Sequence, residues 1–400
     1  MVLSEWVVAA SVRAAGVRRP WSGAFRRRKR PFRAPRVGEV QRRSTRLQRD
    51  ACTATGDTTP QGVPTVPTVS WIKEPAPRRG GRSMGAVPST AVGVVGAGHL
   101  GSAIANALVL REVTRRVVLY DRVLARAEGE GWDIADAVSH LREQDVRVTD
   151  DLRHLSEVGV VVVAVGPTVA TGQDRLELFG VNAPIIRDVV ASLDAVVPEA
   201  VVVIVSNPVE LLTRVMLEHT HRPPNLVLGS GTVNDTARLR YALGRRIGVD
   251  HANVHAYVIG EHGQSAFVVW SSALVGGVPV TAFPAGHGAG WDEVKKDLES
   301  FTHSRGAEIH RRKGYTSFGT ATAVAALVQS VVRDEKHILP VSCLAASGYG
   351  LPPGTVVSLP CVVGASGAER CLVLPLDETE SARLNSSYAG LQAAYDQKPL

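Results

Sequence analysis

The run AVGVVGAGHLGSAIANALVL (91–110) places Gly96, Gly98 and Gly101 in a GxGxxG pattern directly after an apolar stretch. Apolar residues then recur at helical spacing through Leu100, Ile104 and Leu108. Strand, glycine turn and helix in this order suit a phosphate ligand. Gly96 allows the tight turn, Gly98 lets backbone approach a pyrophosphate, and Gly101 lets the helix pack on the strand. The helix start turns free N–H groups and the positive end of its dipole toward the phosphates. A second apolar run, RRVVLYD, ends in Asp121, 20 residues after Gly101. A carboxylate there accepts from a ribose 2′-OH and repels a 2′-phosphate, which favours NAD over NADP. Arg122 beside it offsets part of that repulsion.

Other chemistry-bearing residues are scattered. Arg175 lies in a glycine-bounded polar stretch, GPTVATGQDRLEL (166–178). Asn207 follows an apolar run in SNPVELL. Asp235 and Arg238 are three apart in GSGTVNDTARLRYALG (229–244), hence on one face of a helix. His262 stands between a glutamate and a glycine in VHAYVIGEHG (254–263). Taken singly, each has an ordinary reading: a solvated loop charge, a surface ion pair, a satisfied core histidine.

The elements that position them alternate. The runs 158–166 and 200–207 read as buried parallel strands, and 182–197 between them has helical spacing. The run 254–263 reads as a strand delivering His262. Farther on, 320–332 is helical, 337–344, 355–363 and 370–375 are strand-like, and a helix closes the chain near 377–396. Strands alternating with helices imply an α/β fold: a doubly wound Rossmann sheet followed by an α+β substrate domain. The expected division is a basic extension (1–88), an NAD-binding domain (89–231) and a substrate domain (232–400). In such sheets ligands sit beyond the carboxyl ends of the strands. That puts Gly166 and Asn207 beside the cofactor, with Leu100 of the first helical turn.

Charge divides the chain. Residues 1–88 hold 18 Lys+Arg against 5 Asp+Glu, leaving 27 against 33 for the remainder. The basic arm is rich in proline, glycine and arginine and shows no sustained period, so it reads as disordered. An over-extended start, with Met84 as the working first residue, is the favoured reading. An organelle transit peptide and a basic binding arm are the alternatives. Nucleic acid is not the expected partner, because the arm lacks interleaved aromatics. No apolar run reaches the roughly 18–20 residues of a membrane helix, so a cytoplasmic protein is expected. Cys52, Cys343, Cys361 and Cys371 form no CxxC pair, which speaks for a reducing compartment and against a zinc site or a disulfide framework.

Six ordered motifs, VGAGHLGSAIA, GQDRLEL, SNPVE, DTARLR, VIGEHG and KGYTSFG, resemble the L-lactate/L-malate dehydrogenase family on its lactate branch. The resemblance covers about residues 89–396. It implies NAD-dependent interconversion of a 2-oxo acid and an L-2-hydroxy acid, above all pyruvate and L-lactate. In that scheme His262 exchanges the proton, and a histidine's unperturbed pKa of about 6.5 suits the task. Asp235 orients the imidazole. Arg238 holds the substrate carboxylate through its planar fork. Arg175 polarises the carbonyl from a closing loop. Asn207 meets substrate or nicotinamide, and Thr316 lines the pocket. Arg240 and His255 match the cations that bind fructose 1,6-bisphosphate across a subunit interface, which implies a homotetramer.

The sequence departs from the family at three points. Where lactate dehydrogenases carry Gln and malate dehydrogenases Arg, six residues before Arg175, this chain has Val169. Without a cation there the second carboxylate of malate is disfavoured. Valine suits an apolar C3 substituent, so bulkier 2-oxo acids, as in 2-hydroxyisocaproate dehydrogenases, are the alternative substrates. Gln264 replaces an Asp and Asn234 an apolar residue. With the basic arm, these two changes support the remaining alternative, a catalytically weak NAD-binding protein.

Overall fold

In chain order, β1 (Ala91–Val95), α1 (His99–Leu110), β2 (Arg116–Tyr120), α2 (Leu124–Val138), β3 (Asp145–Thr149) and β4 (Val158–Val163) build the first half of a sheet. α3 (Phe179–Val196), β5 (Val201–Ile204), α4 (Val209–His219) and β6 (Val227–Gly229) build the second. The structure is a computed structural model that describes residues 91–167, 178–285 and 290–397. Valine-rich strands such as β1, β4 and β5, buried at all positions but Gly159, need cover on both faces. The helices between them supply it. All neighbours from β3 to β6 pair parallel, in the order β3-β2-β1-β4-β5-β6. The direction of winding reverses between β1 and β4, and a crevice opens at their carboxyl ends.

Then follow α5 (Val233–Ile247), short strands β7 (Val254–His255), β8 (Val258–Ile259), β9 (Phe267–Val268), β10 (Leu274–Val275) and β11 (Val278–Pro279), and α6 (Trp291–Lys313) and α7 (Phe318–Val332). The chain ends with β12 (His337–Leu344), β13 (Val356–Gly364), β14 (Gly367–Cys371) and α8 (Glu378–Asp396). β12 joins the main sheet antiparallel to β6 through the pair Ser342↔Gly229, and β13 and β14 extend it to nine strands. One large core lines this sheet; a second lies beneath α5 and α6 around Leu239, Leu243, Val258 and Leu298. All described residues belong to one compact unit, Gly80–Leu400. Among them no helix is long and apolar enough to cross a membrane.

Two expected strands differ. The run 254–263 is two strands in two sheets: β7 pairs with β10, and β8 pairs with β9. The break has a local cause. Val258 donates its N–H to Thr236 Oγ1 (2.9 Å), and its carbonyl accepts from Thr232 Oγ1 (2.6 Å), so α5 takes bonds a longer ladder would have used. His262 lies beyond β8, after Gly260 at φ 95°, in a turn rather than on a strand. The expected run 370–375 is β14 at Gly367–Cys371 instead. Past Cys371, Tyr349 Oη donates to Leu372 O and accepts from Leu374 N, replacing ladder bonds.

Arg222 ties the back of the sheet together. Its side chain is 1% exposed and pairs with Asp194. It also donates to the carbonyls of Leu193 (2.8 Å) and Val197 (2.6 Å), capping the last turn of α3. Removing it leaves a part-buried carboxylate without its cation and two helix-end carbonyls without this donor. Arg222→Ala is expected to lose about 3 kcal/mol of unfolding free energy in urea, an effect an exposed charge such as Arg122 cannot produce.

Candidate active site

The crevice between β1 and β4 is shaped by its glycines. Gly96 sits at φ 107°, and a Cβ there would come within 2.4 Å of Ala164 O. A Cβ on Gly101 would lie 1.7 Å from Gly96 O, so α1 can start this close to β1 only without a side chain. Around Gly98, the residue preceding α1, a Cβ would meet nothing within 4 Å. That clear space lies where the N–H groups of α1 converge, and it fits a pyrophosphate. Asp121, buried at the end of β2, accepts from Ala97 N and Val123 N, both at 2.9 Å. Its carboxylate braces the glycine turn from the end of β2.

Across the crevice, Gly166 (φ 98°) packs on Asn182, whose Nδ2 donates to Asn207 O (2.7 Å). Asn207 Oδ1 is buried and accepts no hydrogen bond among the described residues. A buried acceptor without a donor is costly, so this atom fits a ligand donor such as a carboxamide or hydroxyl. Just beyond it, Glu210 is buried between β12 and β13, with Ser342 Oγ (3.0 Å) and Ser358 Oγ (2.6 Å) donating to its Oε1. Burial holds this carboxyl above its ordinary range.

α5 and the turn after β8 supply a cluster of ionisable side chains. His262 Nδ1 lies 2.5 Å from Asp235 Oδ2. A carboxylate can only accept, so Nδ1 carries the hydrogen and Nε2 is the ring atom left for chemistry. Asp235 Oδ1 accepts from Arg238 Nη1 (2.9 Å), which also donates to Thr302 O (2.7 Å). One carboxylate therefore joins the histidine and the arginine. The three side chains are 20%, 11% and 14% exposed, so the cluster is sheltered yet opens on one side. Position is enforced from both ends. Thr232 and Thr236 clamp Val258 to α5. Ser387 of α8 accepts from Glu261 N (2.8 Å), directly before His262.

Gly98, Leu100, Gly166, Asn207, Asp235, Arg238, His262 and Thr316 line a single cavity of about 660 Å³. Gly96, Gly101 and Asp121 stand behind its wall. Arg175 and Val169 lie outside the described residues. Gln264 and Asn234 line the cavity as well, so both departures from the family pattern face the ligand space. Arg240 and His255 are away from it. Arg240 Nε donates to Ala256 O (3.0 Å) and its guanidinium lies over Tyr257, 4.9 Å from the ring, while His255 next along is exposed. Sequence reading missed the wall formed by α6. His303, Gly306, Ala307 and His310 face the cavity, and Nε2 of each histidine is buried without a partner among the described residues. Their spacing of 3, 4 and 7 is the helical signal that could have found them.

Two adjoining regions match known domains: residues 90–229 the NAD-binding domain of lactate/malate dehydrogenases, and residues 232–398 their alpha/beta C-terminal domain. An L-lactate dehydrogenase of Nitratidesulfovibrio vulgaris is 38% identical over 299 residues, 74% of this chain and 96% of that one. One from Moorella thermoacetica is 37% identical over 313 residues, 77% of this chain and 98% of that one. Among solved structures, a lactate dehydrogenase, MGS-M5, from a Medee basin deep-sea metagenome library superposes with a TM-score of 0.73 at 31% identity, covering 78% of this chain and 100% of that one. With the glycine-shaped crevice and the His262–Asp235–Arg238 cluster beside it, these matches show that the chain belongs to the lactate/malate dehydrogenase family of NAD-dependent oxidoreductases.

Proposed function

We propose that this protein is an L-lactate dehydrogenase that interconverts pyruvate and L-lactate with NAD. The observation that carries the reading is the shared carboxylate of Asp235, which joins a proton-exchanging histidine and a carboxylate-binding arginine at the edge of the cofactor crevice. When bound, the reduced nicotinamide supplies a hydride to the carbonyl carbon. His262, as imidazolium, gives its Nε2 proton to the carbonyl oxygen. Asp235 balances the imidazolium and holds the ring in the tautomer that keeps Nε2 toward the cavity. Arg238, steadied by Asp235 and Thr302 O, takes the substrate carboxylate. Asn207 Oδ1 would accept from the nicotinamide carboxamide, and Asp121 would accept from the ribose. Thr316 lines the substrate end. Arg175 is assigned to polarise the carbonyl, and Val169 to face the C3 substituent.

A second reading is supported by the small Gly306 and Ala307 on the α6 wall, which leave room beside the substrate. Together with Val169 they favour a bulkier 2-oxo acid. Exposed Trp132 and Tyr241 supply apolar surface for self-association. For regulation, Arg240 and His255 are proposed as cations for fructose 1,6-bisphosphate between subunits of a homotetramer.

NADH oxidation by the purified protein against pyruvate, oxaloacetate, 2-oxoisocaproate and phenylpyruvate decides between these readings. Pyruvate is expected to give the highest kcat/KM. A preference for 2-oxoisocaproate or phenylpyruvate selects the bulkier reading, and turnover on none leaves only NAD binding. His262→Gln and Asp235→Asn are each expected to lower kcat by about 10²- to 10⁴-fold while NADH still binds. An unchanged kcat in either rejects the assigned roles. Fructose 1,6-bisphosphate is expected to shift the pyruvate saturation curve to lower concentration; identical curves with and without it reject the effector site.

A further inference from the structure

The chain has four cysteines in 400 residues, and three of them meet at one place. Cys343 comes from β12, Cys361 from β13 and Cys371 from β14. Cys361 and Cys371 are direct partners across the β13–β14 ladder. Cys343 Sγ lies 3.1 Å from Cys361 Sγ, and all three sulfurs are within 4.8 Å of one another. Cys343 and Cys361 are buried, and Cys371 is half-buried at the edge. All three are free thiols, and none lines the cavity described above.

We propose that Cys343, Cys361 and Cys371 bind one soft, thiophilic metal ion, of the Zn(II), Cd(II) or Cu(I) class, at a structural site separate from the catalytic cavity. Three thiolates around a metal at about 2.3 Å stand about 4 Å from each other. The observed sulfurs bracket that spacing, so each needs to move by less than about 1 Å. Thiolates select soft cations over Mg²⁺ and Ca²⁺. On binding, the metal–sulfur bonds form as each S–H gives its proton to solvent, with no change of oxidation state. Cys371, half-buried on the edge strand β14, gives an ion its approach from solvent. Buried cysteines often serve as small apolar side chains, but packing alone gives no reason for three to converge from three strands. The consequence is mechanical. Cys343 neighbours Ser342, the residue that pairs β12 with β6, so a bound ion would brace the junction between the parallel and antiparallel parts of the sheet.

The full-length protein, reduced and stripped with a chelator, is titrated with Cd(II) while the ultraviolet thiolate-to-metal charge-transfer band is followed. The expected band saturates at one Cd(II) per chain, competes with Zn(II), and is accompanied by a higher melting temperature. Cys371→Ala, at the least buried position, is expected to abolish stoichiometric binding while far-ultraviolet circular dichroism and NADH binding stay unchanged. Cys361→Ser supplies a second variant, and Cys52→Ser is expected to keep the band. The proposal is overturned if the wild-type protein gives no saturable band, if Cys371→Ala and Cys361→Ser both keep it, or if Cys52→Ser removes it.

Discussion

The arrangement of the candidate site depends on the carboxylate of Asp235. Its two oxygens accept from two different side chains, His262 through Nδ1 and Arg238 through Nη1. Sheltering three ionisable groups together is costly unless each charge is paired and each hydrogen placed. Here the pairing also fixes geometry. The same acceptor that sets the histidine tautomer sets the height of the guanidinium, so the two groups cannot drift apart independently. The surrounding structure serves that arrangement: Thr232 and Thr236 lock β8 to α5, and Ser387 holds the approach to His262 from α8.

The cofactor crevice rests on a different constraint, close approach of backbone. Gly96 and Gly101 let β1, α1 and the end of β4 come closer than side chains would allow. Gly98 and Asn207, whose Oδ1 has no partner among the described residues, line the same cavity at the switch in strand order. The cavity joins this crevice to the Asp235 cluster, so the cofactor and substrate regions are neighbours by topology. α6 closes it with two histidines whose Nε2 atoms have no partner among the described residues. That makes this wall polar at both histidine positions.

Much of the fold was legible because its signals are local. Buried valine runs, helical spacing and the glycine turn each depend on a few neighbouring residues, and they mark β1, β2, β4 and β5, four of the six parallel strands; the mixed-polarity β3 and the three-residue β6 carry no such run. What failed to read did so for nonlocal reasons. The run 254–263 has strand composition, yet side chains of α5 take the hydrogen bonds at Val258 and split it. The final strand ended early because Tyr349, 23 residues before Leu372, replaced ladder bonds. The histidines of α6 have helical spacing, but nothing in that spacing says which face meets the cavity.

By itself, the sequence determined the alternating α/β plan and the glycine turn before α1, and it singled out Asp121, Asp235, Arg238 and His262 as candidates, since each signal is carried by residue type over a short span. The tertiary structure alone decided that one carboxylate serves both His262 and Arg238, because they sit 24 residues apart and meet only when α5 packs against β8. It alone brought Cys343, Cys361 and Cys371 together. Their spacing carries no metal motif; strand pairing across a sheet, rather than distance along the chain, sets which thiols are neighbours.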